Sequence, residues 1–460
     1  MNNRKMNRKM NRKSLTIGLM LSCVMALVAG PQTRAAFAAP AGGDAVTVWN
    51  ANAGVAATAA CIAPLDDPFH ESRIYAMMHV AIHDALNAID RRSRPYTFDM
   101  QEPGASPDAA VASAARDVLV RLIGQLPLEL VSLSCIAAGV ASVETHYTAA
   151  LAAIPDNHAK AQGIAVGQAA AAAILALRAA DGAVGPFLNF RCPQGTKPGE
   201  YQCTPGTPFI VFEVWGNVIP FVLNHSSQFR PGPPYGVNTK KYTADFNEVK
   251  SLGGDGISTP SARTADQTEI ALFWWENSPL KWNRIARTVS VHTGLDLWEN
   301  ARLFGLLNLA LADGYIAMVD TKNHYNYWRP VTAIQTADTD GNPDTTGDPL
   351  WTPLRPTPPD QDYASGHSIE GGAAAEVLKQ FFGTDQISFQ DCGVTLPAGS
   401  TCSDPSPVLR SYTSFSQAAA ENAYSRILIG FHFRKSVEEG TDYGRQIGKR
   451  AANLYLRPVD

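Results

Sequence analysis

The chain has 460 residues, 45% of them hydrophobic and 17% charged, a composition that suits a large globular domain with a sizeable core. Its formal net charge is −4, but seven of the 38 basic residues and none of the 42 acids lie within residues 1–38, which leaves 31 against 42, a net of −11. A surface that acidic repels nucleic acid and anionic lipid, so cations that serve a function must be gathered locally, inside a pocket.

At the N-terminus, Arg4, Lys5, Arg8, Lys9, Arg12 and Lys13 precede an apolar segment from Leu15 to Ala29, and Ala36-Phe37-Ala38 offers a small-x-small cleavage site. This layout predicts a secretory signal peptide over 1–38, followed by one helical domain over 39–460 and a secreted or periplasmic location. No later stretch reads as a membrane span. The Ala-rich run from Gln168 to Ala180 comes nearest, and Gly167, Arg178 and Asp181 bound it as they would a buried helix. Cys23 leaves with the leader. The six remaining cysteines favour disulfides in an exported chain: Cys192 with Cys203 and Cys392 with Cys402 locally, and Cys61 with Cys135 by elimination.

Apolar residues at helical spacing predict a helix from Arg73 to Ile89. Further helices are predicted at Ala109–Ile123, Ser142–Ile154 and Ala159–Ala180. Arg191–Pro208 and Phe229–Tyr242 are rich in Gly, Pro and polar residues and read as loops. Helical spacing returns at Ala265–Trp275, Trp282–Val291, Leu295–Met318, Gly366–Phe382 and Ser414–Leu456, the last broken near Gly430. Thr207–Glu213 is the best strand candidate, and it is short. The predicted fold is all-α, with helix-rich halves on either side of residues 190–260 forming two packed bundles.

Three segments join cations or histidines to turn chemistry. In Lys322–Pro330 (KNHYNYWRP), a helical reading puts Lys322 and Arg329 on one face, two turns apart. Solvated surface charges are the plain alternative for that pair alone. In Tyr363–Glu370 (YASGHSIE), Ser365 and Gly366 open a helix whose free N–H groups suit an anion, with His367 able to move a proton. An ordinary N-cap is the alternative there. In Ser425–Phe433 (SRILIGFHF), Arg426 lies among apolar residues and needs a buried partner, while a kink at Gly430 could bring His432 to the same point.

Taken together, Lys-x6-Arg-Pro, Ser-Gly-His and Ser-Arg-x5-His resemble the signature shared by vanadium haloperoxidases and phosphatidic-acid-phosphatase-type acid phosphatases. Val46-Thr47-Val48-Trp49-Asn50, the helix from Ala76 through Ala85, and Asn300-Ala301-Arg302-Leu303-Phe304 look like bacterial members of the haloperoxidase group. The resemblance implies an all-α fold around two four-helix bundles and a vanadate cofactor. It implies oxidation of halide by hydrogen peroxide to hypohalous acid, which then reaches a small organic acceptor. By similarity, His432 is the vanadium ligand, or the nucleophile of a secreted acid phosphatase. Lys322, Arg329, Ser365, Gly366 and Arg426 hold the oxyanion, and His367 is the acid–base group. A non-catalytic oxyanion-binding protein is the third reading.

Ser436 stands four residues after His432, where the family often has an orienting Asp, so Glu438 or Glu439 is the expected substitute. Asp360, near the anion, is expected to repel halide. Outside the signature, His79 and His83 at i and i+4 could ligate a metal but read as core histidines. Asp338-Thr-Asp340-Gly-Asn342-Pro-Asp344 opens like a calcium loop, yet Pro343 and Pro349 occupy the places of its Gly and Glu. Tyr325, Tyr327, Trp328, Trp274 and Trp275 could line a pocket or fill core.

Overall fold

A computed structural model of the chain describes residues 43–192, 194–397 and 399–459. The predicted signal peptide over 1–38 lies outside the described residues.

The first group of helices comprises α1 (Ala45–Ala59), α2 (Pro68–Ile89), α3 (Pro107–Ile123), α4 (Leu133–Ala152) and α5 (His158–Leu177). Each start has a chemical cause. Asp44, Asp67, Ser106, Ser132 and Asn157 accept a backbone N–H of the first turn, and Pro68 and Pro107 begin α2 and α3 with no N–H to satisfy. The Cys61–Cys135 disulfide ties the end of α1 to α4. A two-residue pairing of β1 (Leu188–Asn189) with β2 (Ile210–Val211) is all that forms in the predicted strand region, next to the Cys192–Cys203 disulfide.

α6 (Lys240–Leu252), capped by Thr239, begins where the sequence read as loop through Tyr242. α7 (Ala265–Phe273) and α8 (Ser278–Thr293) follow, and the left-handed Gly294 ends α8. α9 (Leu297–Tyr325) starts in a capping box between Asp296 and Glu299 and runs 29 residues through the centre of the molecule. It touches α2 in the first group and α11 and α13 in the second. By length and composition both α5 and α9 could cross a membrane, contrary to the sequence reading. The apolar window of α9 is 94% buried within the protein, as a core helix requires.

The second group contains the short α10 (Pro330–Thr336), α11 (Gly366–Phe382), α12 (Phe415–Leu428) and α13 (Arg434–Leu454). Between α11 and α12 lies an antiparallel hairpin of β3 (Phe389–Cys392) and β4 (Leu409–Tyr412), braced by the Cys392–Cys402 disulfide. All three predicted cysteine pairs are thus formed. α11 and α13 meet backbone to backbone: a Cβ on Gly444 would lie 1.9 Å from the Ile369 carbonyl oxygen. That approach sets the start of α11 against the start of α13, where the Ser365 N–H donates to the Ser436 carbonyl at 3.1 Å. The fold is all-α, two packed helical groups sharing α9.

Candidate oxyanion site

The three sequence segments converge at one place, and the connections between them are specific. Lys322 is buried in the last turn of α9 and donates from Nζ to Asp360 Oδ2 at 2.6 Å. α9 then stops, because Asn326 adopts a left-handed conformation with φ 45°. Arg329 is therefore extended, not helical, and leads into α10. The two cations do not share a helix face as the spacing suggested; they meet because both bind Asp360. Arg329 donates from Nε to the Asp360 carbonyl at 2.7 Å, and its outer nitrogen pairs with Asp360 Oδ1. The expected repulsive carboxylate is thus neutralised. Burial would raise the Asp360 carboxyl, but Lys322 and Arg329 overcome it and hold it below its usual range.

Ser365 precedes α11 and its hydroxyl makes no capping bond. It accepts from the Ser368 hydroxyl at 3.0 Å, so its own proton is left for another acceptor. Gly366 opens the helix, where first-turn N–H groups lack intrahelical partners. Packing also favours glycine at this position: a Cβ there would meet Met318 Sδ at 2.4 Å. His367 places Nε2 3.1 Å from the Glu276 carbonyl oxygen.

Arg426, in the last turn of α12, is buried with no carboxylate in contact among the described residues. It donates to the Trp274 carbonyl at 3.1 Å, and its Nε has no hydrogen-bond partner among the described residues. Gly430, at φ 87°, turns the chain after α12, and a Cβ there would lie 2.6 Å from the Gly253 carbonyl oxygen. His432 follows in the link to α13. Its Nε2 lies 2.9 Å from an Arg329 guanidinium nitrogen, and its Nδ1 lies 2.9 Å from Asp362 Oδ1. Since guanidinium can only donate, Nε2 carries the lone pair and Nδ1 the proton.

Asp362 is the residue that sequence reasoning missed. It performs the orienting task expected of Glu438 or Glu439, which instead pair with Arg434 at 3.6 Å and with Lys435. Ser436 adds a bond from its hydroxyl to the Asp362 carbonyl at 2.9 Å. The signal available was an Asp three residues before Ser365 and two after Asp360. Burial pushes the Asp362 carboxyl up to about 7 despite the nearby Arg329 and Lys322. Burial and the surrounding cations also drive His367 and His432 well below the usual histidine value. Burial lowers Lys322 to about 8 and, together with Arg329, lowers Arg426 to about 9.

The remaining candidates belong to the scaffold. His79 is buried against Asn50 at 2.8 Å and pushed down to about 3 by burial, and His83 sits between Asp84 and Ser93. In the calcium-like loop, Asp338 accepts from the Gly347 N–H and Asp340 from Asn342 and Thr345, so their oxygens serve the loop itself. No group of three His, Cys, Asp or Glu among the described residues could hold a metal ion. Trp274 and Trp328 fill core.

Residues 302–460 match the family model described as the VCPO second helical-bundle domain. The vanadium chloroperoxidase of Curvularia inaequalis is 24% identical, over 81% of this chain and 75% of that protein. The crystal structure of a bacterial vanadium-dependent iodoperoxidase superposes with a TM-score of 0.72 at 24% identity, covering 90% of this chain and 97% of that one. A bacterial vanadium-dependent chloroperoxidase in its holo form gives 0.64 at 17% identity, covering 84% and 91%. Fold and site define a two-bundle helical protein with a buried cluster of cations and histidines. The chain is thus similar to vanadium haloperoxidases, in its second helical bundle by the family model and over most of its length by fold.

Proposed function

We propose that the protein is a vanadate-dependent haloperoxidase that oxidises halide with hydrogen peroxide to hypohalous acid, which passes to a small organic acceptor. One observation carries this reading: Lys322, Arg329 and Arg426 are buried together, yet among the described residues Asp360 is the one carboxylate paired with any of them. Buried charge without a counter-ion costs several kcal/mol, so the cluster is complete only with an anion in place. Vanadate fits that donor set, with the orphaned Arg426 Nε as a ready donor.

Lys322, Arg329, Arg426, the Ser365 hydroxyl and the Gly366 amide would hold its oxygens, and His432 would ligate it through Nε2. Vanadate, when bound, supplies the Lewis acid that makes peroxide reactive towards halide. Asp362 keeps the proton of His432 on Nδ1, so Nε2 remains a ligand atom. Arg329 must share or release its bond to that atom as the oxyanion enters. His367, unprotonated in the cationic surroundings, takes a proton and returns it. Export belongs to the same proposal, supported by the leader-like N-terminus and three disulfides.

The test is to add vanadate to the purified chain and assay bromide-dependent halogenation with peroxide beside p-nitrophenyl phosphate hydrolysis. Halogenation that His432→Ala abolishes is the expected result. Hydrolysis inhibited by vanadate, without halogenation, would instead assign an acid phosphatase acting through a phosphohistidine. Vanadate binding with neither activity would leave a non-catalytic oxyanion-binding protein.

A further inference from the structure

The four residues between α7 and α8, Trp274 to Asn277, contribute no side chain to the oxyanion cluster, yet they hold two of its members by backbone. The Trp274 carbonyl accepts from Arg426 at 3.1 Å, and the Glu276 carbonyl lies 3.1 Å from His367 Nε2. A carbonyl oxygen can only accept, so the bond to Glu276 places the ring proton of neutral His367 on Nε2. Nδ1 makes no hydrogen bond to the described residues and keeps its lone pair.

This strap is held from both sides. Asn277 donates from its backbone N–H to the Pro64 carbonyl at 2.7 Å, and from Nδ2 to the Ile62 carbonyl at 3.0 Å and Glu71 Oε2 at 2.9 Å. The Glu276 side chain turns the other way, into a buried box of two carboxylates and two cations. Lys281 Nζ lies 3.0 Å from Glu276 Oε1 and 3.0 Å from Asp391 Oδ2. Arg284 pairs with both carboxylates and donates to the Cys392 carbonyl at 3.0 Å. All four residues are buried, and their charges cancel. Such a box is strong in direction and intolerant of a missing member. Of its two carboxylates, Glu276 alone belongs to the strap; Asp391 lies on β3.

We propose that Glu276 is a positioning residue for the oxyanion site: anchored in the Lys281–Arg284–Asp391 box, it fixes the strap whose carbonyls set the direction of Arg426 and the tautomer of His367. This inference rests on the functional reading given above for its consequence, but not for its geometry. Losing an outer residue that orients a site group typically lowers metal affinity by about 10–100-fold.

The test compares Glu276→Gln with Asp391→Asn, which remove the same charge from the same box. With histidine 15N-labelled and no vanadate present, wild-type His367 is expected to show a protonated Nε2 and an unprotonated Nδ1. Glu276→Gln should give a tautomer mixture and weaken vanadate binding, read by calorimetry, by at least about tenfold. Asp391→Asn should lower thermal stability comparably while keeping the wild-type tautomer and an affinity within about twofold. If Glu276→Gln does not fold, Glu276→Asp replaces it, since its shorter arm displaces the strap and keeps the charge. A wild-type proton on Nδ1 would overturn the proposal. So would equal changes in both variants, which reduce the box to a stabilising element. If wild-type protein binds no vanadate, the functional reading fails, while the ring spectra still decide the strap.

Discussion

Glu71 sits on α2 with its carboxyl wholly buried, one oxygen accepting from Asn277 and the carboxyl lying beside the Tyr75 side chain. Burial chiefly, aided by Asp67 and Glu276, pushes this carboxyl from 4.5 up to about 8. The folded chain at pH 7 therefore carries Glu71 neutral, whereas the unfolded chain ionises it. A raised carboxyl means that the folded state binds the extra proton, so stability falls as pH rises from the unfolded value towards the folded one. Between 4.5 and 7 the loss accumulates at 1.36 kcal/mol per unit, about 3 kcal/mol in all. Glu71→Gln keeps a neutral side chain of the same shape and removes this loss. The variant should match wild type in urea unfolding at pH 4 and exceed it by about 3 kcal/mol at pH 7. A stability difference that is the same at both values, or that favours wild type increasingly with pH, would refute the assignment of a neutral buried acid behind the strap.

Asp362→Ala removes the acceptor that keeps the His432 proton on Nδ1, and vanadate affinity measured by calorimetry should fall about 10–100-fold. Lys322 is lowered to about 8, so oxyanion binding should be full below that pH and weaken above it as the free site loses this charge. In Lys322→Met the affinity is lower throughout and that alkaline limb disappears from the binding curve. Replacing Cys61 and Cys135 by Ala opens a link 74 residues apart, worth about 4.5 kcal/mol of unfolded-state entropy, against about 3 kcal/mol for Cys392 and Cys402, 10 apart. Denaturant unfolding of the two double variants should rank them in that order.

Most long helices were legible because apolar spacing acts locally: it placed most of α9, over Leu295–Met318, and Gly430 breaks the last helical stretch where the structure breaks it. α1, α6 and α10 were missed; α6 lies against a Gly/Pro-rich tract and α10 spans only seven residues. The site residues themselves were legible as a motif, but not the way they meet. Lys322 and Arg329 looked like neighbours on a helix, whereas a left-handed Asn326 separates them and a carboxylate 31 positions beyond Arg329 joins them. Asp362 could not be told from its neighbour Asp360 by composition, because which carboxyl faces His432 and which faces Lys322 depends on the path of the loop. The Trp274 and Glu276 carbonyls left no sequence signal, for any residue type carries a carbonyl.

The most direct measurement is a crystal structure of the chain soaked with orthovanadate. The account predicts one vanadium at bonding distance from His432 Nε2, with its oxygens on Lys322, Arg329 and Arg426 and with His367 alongside. Vanadate bound elsewhere, or none in the presence of well-ordered density for these five side chains, would contradict it.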